Sequence, residues 1–261
     1  MKKCVFPIAF LVSLCFVVQP KFAEASSPIE ITIRPNHILI GASYNGANIS
    51  VSGEIPADAE ALIRVTGHPE NDRLKKKGRA LGLLWMNLGA VEFHKVPAVF
   101  LLYLPKGVNT SFQLDRQKWQ DLGLGLDAVR EKAEIVSDYR DTDALFEEFL
   151  KLKRKSGLYG TVEDAICYKK KKGGVKSFSC ALRLPASLPQ GVYKVEAFAI
   201  KDGAISGSVV EEIGATEVGI PAFISSLAFK HGTLYGILSV LAAVIVGLLT
   251  GVLFRGGKGG H

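Results

Sequence analysis

Cysteine is scarce in this chain: there are four among 261 residues, and two of them, Cys4 and Cys15, fall in the first 25. A disulfide-knotted scaffold, which packs several cross-links into a short chain, is excluded. The five histidines, His37, His68, His94, His231 and His261, are scattered. No His-Glu-x-x-His pair and no Cys/His cluster joins them, so no local zinc motif exists. A G-x-S-x-G elbow and a phosphate loop are missing too. Gly123, Gly125 and Ala128 fit a relaxed dinucleotide fingerprint, but Asp121-Leu122 ahead of them does not read as a strand. Asp138, Asp141 and Asp143 lack the glycine and distal glutamate of a calcium loop and suit a helix start better. The sequence thus offers no catalytic, cofactor-binding or metal-binding residue, and the expectation is a protein that is not an enzyme.

Strong charge of one sign is also lacking. The formal charge of +7 shrinks once the termini are set aside: without Lys2, Lys3, Lys21, Arg255, Lys258 and Glu24, 27 basic and 24 acidic groups remain, net +3. That is too mild to argue for nucleic acid. Three basic runs stand out, Lys75-Lys76-Lys77 with Arg79, Lys151 to Lys155, and Lys169 to Lys172, and they read as solvated faces or as contacts for anionic headgroups.

Apolar residues are plentiful, at 48% of the chain, and they concentrate at its two ends. Lys2 and Lys3 precede an apolar run from Val5 to Val18, and Ala23-Glu24-Ala25 supplies the small-x-small pattern of a signal-peptidase site. Residues 1–25 read as a signal peptide, with the mature chain starting at Ser26. Leu14 before Cys15 argues against a lipoprotein. At the other end, Thr233 to Phe254 carries no formal charge over 22 residues. At ~1.5 Å rise per residue this crosses the ~30 Å hydrocarbon layer. The expected topology is a bacterial inner-membrane protein with one span at 233–254, residues 26–232 in the periplasm, and a cytoplasmic tail at 255–261. Along the span, Ser239, Ala243, Gly247 and Gly251 recur every four residues, a stripe of small side chains suited to close helix packing.

Between the ends the period of the pattern changes twice. Ile29, Ile31 and Ile33, then Ile49, Val51 and Ile55, alternate with polar residues as half-buried strands do, and Ala61–Val65 and Val91–Leu104 continue the series with a bend at Pro97. From about residue 112 to 157 the period is helical. Val129, Ala133 and Val136 form one stripe, and Leu145, Phe149 and Leu152 form another that Thr142 caps and Gly157 stops. Strands then return. Asp202-Gly203 is a two-residue hairpin signal. Pro189-Gln190-Gly191-Val192-Tyr193-Lys194-Val195 resembles the tyrosine-bearing strand start of immunoglobulin-like sandwiches. The fold expected is mainly β, an immunoglobulin-like β-sandwich with a helical insertion at about 112–157 plus one C-terminal transmembrane helix. Two β domains with a helical bridge are the alternative.

Only Cys167 and Cys180 survive removal of the signal, and an exported chain places them in an oxidising compartment. A hairpin turning at Gly173-Gly174 pairs residues whose numbers sum to 347, which sets Cys167 opposite Cys180 at a non-hydrogen-bonded site. A disulfide is expected there. The competing reading starts a short helix at Thr161.

Three segments carry a family resemblance: Lys76-Lys77-Gly78-Arg79-Ala80-Leu81-Gly82-Leu83-Leu84-Trp85-Met86-Asn87, then Val91-Glu92-Phe93-His94-Lys95-Val96-Pro97, then Leu184-Pro185 through Gly191-Val192-Tyr193 to Lys201-Asp202-Gly203. Together they resemble the successive motifs of the alphaproteobacterial putative transmembrane proteins. The resemblance covers nearly the whole chain and implies an exported, single-span protein of undetermined function, in some genomes beside a sulfite-exporter-type permease. It carries over no catalytic residue. The Cys167/Cys180 pair and the long lysine run depart from the pattern. Two function classes follow. One is a non-enzymatic, membrane-anchored extracytoplasmic binding or accessory protein that supports a membrane-protein partner, such as an anion exporter or envelope complex, or a second copy of itself. The other is an anion-binding receptor or enzyme with a composite site formed by Lys77, Arg79, Trp85, Asn87 and His94.

Overall fold

In the computed structural model, which describes residues 29–80, 84–106, 120, 123–169 and 174–254, the alternating isoleucines near the start build the first edge of a large sheet. Residues 1–25, read as a signal, lie outside the described residues. Strand β1 (Glu30–Arg34) pairs antiparallel with β3 (Ala47–Pro56), which turns Ile49, Val51 and Ile55 into the core. Seven further strands extend the sheet: β2 (His37–Ile40), β4 (Glu60–Thr66), β7 (Phe100–Pro105), β9 (Tyr159–Tyr168), β10 (Val175–Leu184), β11 (Gly191–Lys201) and β12 (Ala204–Glu217). Their spatial order is β1-β3-β10-β9-β7-β4-β11-β12-β2.

The chain is therefore mainly β, but most of its strands belong to one continuous nine-stranded sheet. β1 and β2 form opposite edges of that sheet, although only Pro35 and Asn36 separate them in the chain. The three Cα steps from Arg34 to His37 span at most ~11 Å, so the edges must come together and the sheet must curl. The Asn36 carbonyl accepts from Gly214 N at 3.1 Å, and β2 then runs parallel to β12 from His37↔Gly214 to Ile40↔Glu217. Curling gives the sheet an inside, filled by Ile49, Val51, Ile63, Val65, Tyr103, Phe178, Leu182, Tyr193 and Val195.

Local chemistry explains the turns. Asp202 and Gly203 both have positive φ, 53° and 79°, the signature of a two-residue turn whose twist matches the strands it joins, and Lys201 pairs with Ala204 across it. The Tyr193 hydroxyl donates to the Pro189 carbonyl four residues upstream, which ties the start of β11 to the turn before it. Gly53 is forced by proximity, because a Cβ there would lie 2.4 Å from the Glu30 carbonyl oxygen and 2.9 Å from the Phe178 ring.

A second, three-stranded sheet holds β5 (Pro69–Ala80), β6 (Leu84–Pro97) and β8 (Glu134–Ser137) in the order β5-β6-β8. Helices α1 (Leu126–Lys132) and α2 (Thr142–Lys155) pack against it. Their shared core contains Val91, Phe93, Val96, Val129, Phe146, Phe149 and Leu150, and it reaches the outer face of the large sheet at Phe100 and Tyr159. The stretch expected to be helical throughout thus contains a strand. α1 ends at Lys132, and Val136 stands exposed on β8, paired with Glu92, instead of extending the Val129/Ala133 stripe. On α2 the cap is Asp141, whose side chain accepts from Ala144 N at 3.0 Å, and the buried face is Phe146, Phe149, Leu150 and Lys153, while Leu152 is exposed. Gly157, at φ 72°, stops this helix as expected.

Beyond β12, a short apolar helix α3 (Ile220–Lys230) leads to the long helix α4 (Gly232–Phe254).

Candidate functional site

The β5–β6 hairpin carries all five candidate interaction residues, four of them at its distal end. Twelve and fourteen residues long, its strands outrun β8, which pairs only with Val91 to His94. Past that support the hairpin continues through six pairs, from Lys75↔Ala90 to Ala80↔Leu84, with a bulge between Lys76 and Lys77. Lys77 stands opposite Asn87, and Arg79 opposite Trp85, so these four share the distal end. Lys77, Arg79 and Asn87 are exposed, as are Leu84 and Met86.

His94 is elsewhere. It lies seven residues along β6 from Asn87, roughly 23 Å at ~3.3 Å per residue, at the supported base of the hairpin. There its Nε2 is 3.2 Å from Glu92 Oε2, and its neighbour Lys95 binds Glu134. That contact holds the Glu134 carboxyl below its usual pKa, through the Lys95 hydrogen bond first and its charge second. The five residues do not converge on one cleft.

A groove of about 580 Å³ runs between the hairpin and α2, lined by Leu74, Lys75, Lys76, Lys77, Phe93, Tyr139, Arg140, Glu148 and Leu152. Lys76 Nζ sits 3.9 Å above the Tyr139 ring, a cation–π contact that fixes one wall. Gly89 opposite lets that ring approach, since an added Cβ would come within 3.2 Å of the Tyr139 hydroxyl. A second cleft, about 510 Å³, opens between β4, β11 and α1. Its Arg64 is occupied, with Nε donating to Glu196 at 2.7 Å and Nη1 to the Gly123 carbonyl at 2.8 Å.

Two buried lysines escaped the sequence reading, which took the run Lys151 to Lys155 for a solvated face or a headgroup contact and assigned Lys176 to no run. Lys153 Nζ lies 2.7 Å from both Glu70 Oε1 and Asp72 Oδ2, beneath the rings of Phe149 and Tyr159. Burial pulls its pKa down, but the two carboxylates outweigh that and raise it above the ordinary lysine value. The available signal was its spacing, three residues after Leu150 and four after Phe149, on the apolar stripe of α2. Lys176 points into the curled sheet, 2.8 Å from Glu60 Oε1 and 4.2 Å from the Tyr168 ring centre. The Tyr168 hydroxyl accepts from Ala61 N at 2.8 Å, which ties the same cluster to β4.

The expected Cys167–Cys180 bridge is overturned by register. Tyr168 pairs with Phe178 and Cys167 with Ser179, so paired numbers sum to 346 and Cys180 faces Ile166. One residue of slip reverses a side chain's face. Cys167 is exposed on the outside, Cys180 is buried with Phe178 and Leu182, and both are free thiols. Burial, followed by the neighbouring Cys167, pushes the Cys180 thiol up to about 12. Among the described residues no three His, Cys, Asp or Glu side chains are grouped to hold a metal ion.

α4 is the one helix among the described residues long and apolar enough to cross a membrane, 23 residues with every side chain on the outside. A family model described as Putative transmembrane protein (Alph_Pro_TM) matches residues 28–256. The chain belongs to this family. No curated protein matches it in sequence. For this member of Alph_Pro_TM, the family description and the apolar helix together make it a membrane-associated protein. On α4, Ser239 Oγ donates to the Tyr235 carbonyl at 2.8 Å, which satisfies the hydroxyl within the helix. Nothing among the described residues lies within 4 Å of a Cβ added at Gly247 or Gly251, so the small-residue stripe with Ala243 is open.

Proposed function

We propose that this Alph_Pro_TM protein is a membrane-anchored extracytoplasmic binding or accessory protein without catalytic chemistry of its own, whose β5–β6 hairpin engages a membrane-protein partner such as an anion exporter or envelope complex. The observation that carries the reading is how far the hairpin runs beyond its pairing with β8 among the described residues. Its distal end combines the cations Lys77 and Arg79 with the exposed apolar side chains of Leu84 and Met86, a mixture suited to a protein surface. In this reading residues 1–25 direct export, the β domain lies in the periplasm, and 255–261 stay in the cytoplasm. The separation of His94 from Lys77, Arg79, Trp85 and Asn87 weighs against the composite anion site. Photo-crosslinking residues placed singly at Lys77, Met86 and Asn87 in native membranes test it. A discrete adduct at these positions, and none from a control at Thr32, is expected. Adducts at neither would refute the hairpin as the contact.

A further inference from the structure

The exit from the sheet is short and tethered. β12 ends at Glu217, and only Val218 and Gly219 separate it from α3. Val218 N donates to the Ile40 carbonyl at 3.0 Å and Ser225 Oγ to Glu217 Oε2 at 2.6 Å, so the serine side of α3 is held to the end of the sheet. Ile220, Phe223, Ile224 and Leu227 fall at i, i+3, i+4 and i+7, one helical stripe, roughly opposite Ala222 and Ser226. No residue of α3 is buried; Ile220 and Phe223 expose 66% and 64% of their surface, and Phe229, off the stripe in the last turn beside the span, exposes 89%. A single residue, His231, separates α3 from α4, and its φ of −134° and ψ of 52° break the helix there.

Geometry then says what covers the stripe. If α3 ran on in line with α4, the two would measure ~50 Å at 1.5 Å per residue, against a hydrocarbon layer of ~30 Å. Standing upright above the span, α3 would hold five large apolar side chains, Phe229 among them, in water. Because α3 ends where the span begins, its C-terminal end is at the bilayer surface whatever its tilt. It contains no acidic residue, and its only charge, Lys230, sits at the end nearest the headgroups, where a long cationic side chain reaches back to the interface.

We infer that α3 is an interfacial helix, lying in the plane of the membrane with Ile220, Phe223, Ile224 and Leu227 in the boundary between headgroups and acyl chains, and that it seats the β domain on the lipid surface by the ends of β12 and β2. The interaction is with lipid, and it is independent of the hairpin's partner. In the full chain, cysteine-free and reconstituted in phosphatidylethanolamine/phosphatidylglycerol vesicles, spin labels at Ile220→Cys, Phe223→Cys, Ile224→Cys and Leu227→Cys are compared with Ala222→Cys and Ser226→Cys. The stripe should be relaxed strongly by oxygen and at least several-fold less by a water-soluble nickel chelate, with the reverse at 222 and 226. Four stripe sites keep the test valid if one substitution misfolds. Equal nickel access on both faces would place the helix in water, and shielding of the stripe from both reagents would mean that protein covers it. Either result overturns the inference.

Discussion

Lys153 on α2 and Glu70 on β5, 83 residues apart in the chain, are joined by a 2.7 Å hydrogen bond from Nζ to Oε1. With Asp72 at the same distance, this cation fastens the helix to the base of the hairpin, where Phe149 and Tyr159 exclude water. The hairpin's direction therefore depends on a charge inside the second core. A buried pair of this kind contributes less to net stability than its distances suggest, because both ions were desolvated to form it. Its loss is nevertheless costly, because the partners stay behind.

Lys153→Ala should lower unfolding stability by ~2–4 kcal/mol, toward the range for removing one member of a buried pair, with the half-exposed carboxylates limiting the damage. The folded-state pKa of Lys153 is raised, so the charge contribution is complete below the ordinary lysine value and is lost as pH rises through the higher folded one. The wild-type advantage over Lys153→Met should hold from pH 6 to 9 and shrink above about pH 10.4. Denaturant titrations of both proteins across that range measure it, and an advantage that vanishes at neutral pH would contradict the assignment.

The thiols give a second test. Cys167 is exposed, while Cys180 is buried with its pKa pushed up to about 12. Without reductant, the folded mature protein should take up one equivalent of maleimide and the denatured protein two. Failure of both forms to react would restore the disulfide.

The register error behind that disulfide shows what the sequence could disclose. Asp202-Gly203 was legible because a two-residue turn needs two positive φ angles and little else, and β11–β12 follow from it. The sequence after Lys169 offers only glycines and lysines, and the pairing is settled instead by which of Ile166, Cys167, Phe178 and Cys180 face the core, a choice made by strands far off in sequence. The closing of the sheet was equally hidden. Nothing local in Pro35-Asn36 announces that β1 and β2 join opposite edges. β8 was missed because Ala133 and Val136 happen to continue a helical spacing, although the β-branched Ile135-Val136 pair favours a strand. At the candidate site, pairing grouped Lys77 with Asn87 as any hairpin must, whereas the absence of His94 from that group depends on hairpin length.

Gly53 offers a prediction about the sheet edge. A Cβ there would meet the Glu30 carbonyl at 2.4 Å, and backbone cannot yield as a flexible side chain can. Gly53→Ala should displace β1 and destabilise the fold by about 1–3 kcal/mol. Hydrogen exchange should quicken first at the β1–β3 amides, and uniform quickening across the sheet would mean that the clash is relieved elsewhere.

Topology is tested by reporters. With residues 1–25 as an export signal and α4 as the stop, a reporter active only in the periplasm should work when fused after Lys201, and one active only in the cytoplasm should work after His261. Cytoplasmic activity after Lys201 would reverse the proposed orientation.

The span carries the last prediction. In lipid, helices gain nothing from the hydrophobic effect by meeting, so association depends on close packing and small side chains. Ser239, Ala243, Gly247 and Gly251 form an open stripe on α4, while Leu241, Val244, Ile245 and Leu248 present bulkier, exposed surface elsewhere on the helix. An anchor alone has no use for such a stripe, yet glycine is also common in spans that meet nothing. The double variant Gly247→Ile with Gly251→Ile separates the two cases, because isoleucine is as apolar as the lipid and should insert normally while filling the groove. Self-association or partner capture, read by crosslinking in native membranes, should fall at least tenfold in that variant, with the β domain still folded and the Lys77 and Asn87 adducts then lost or reduced. An unchanged crosslinking pattern would make α4 an anchor only and leave the hairpin to hold the partner alone.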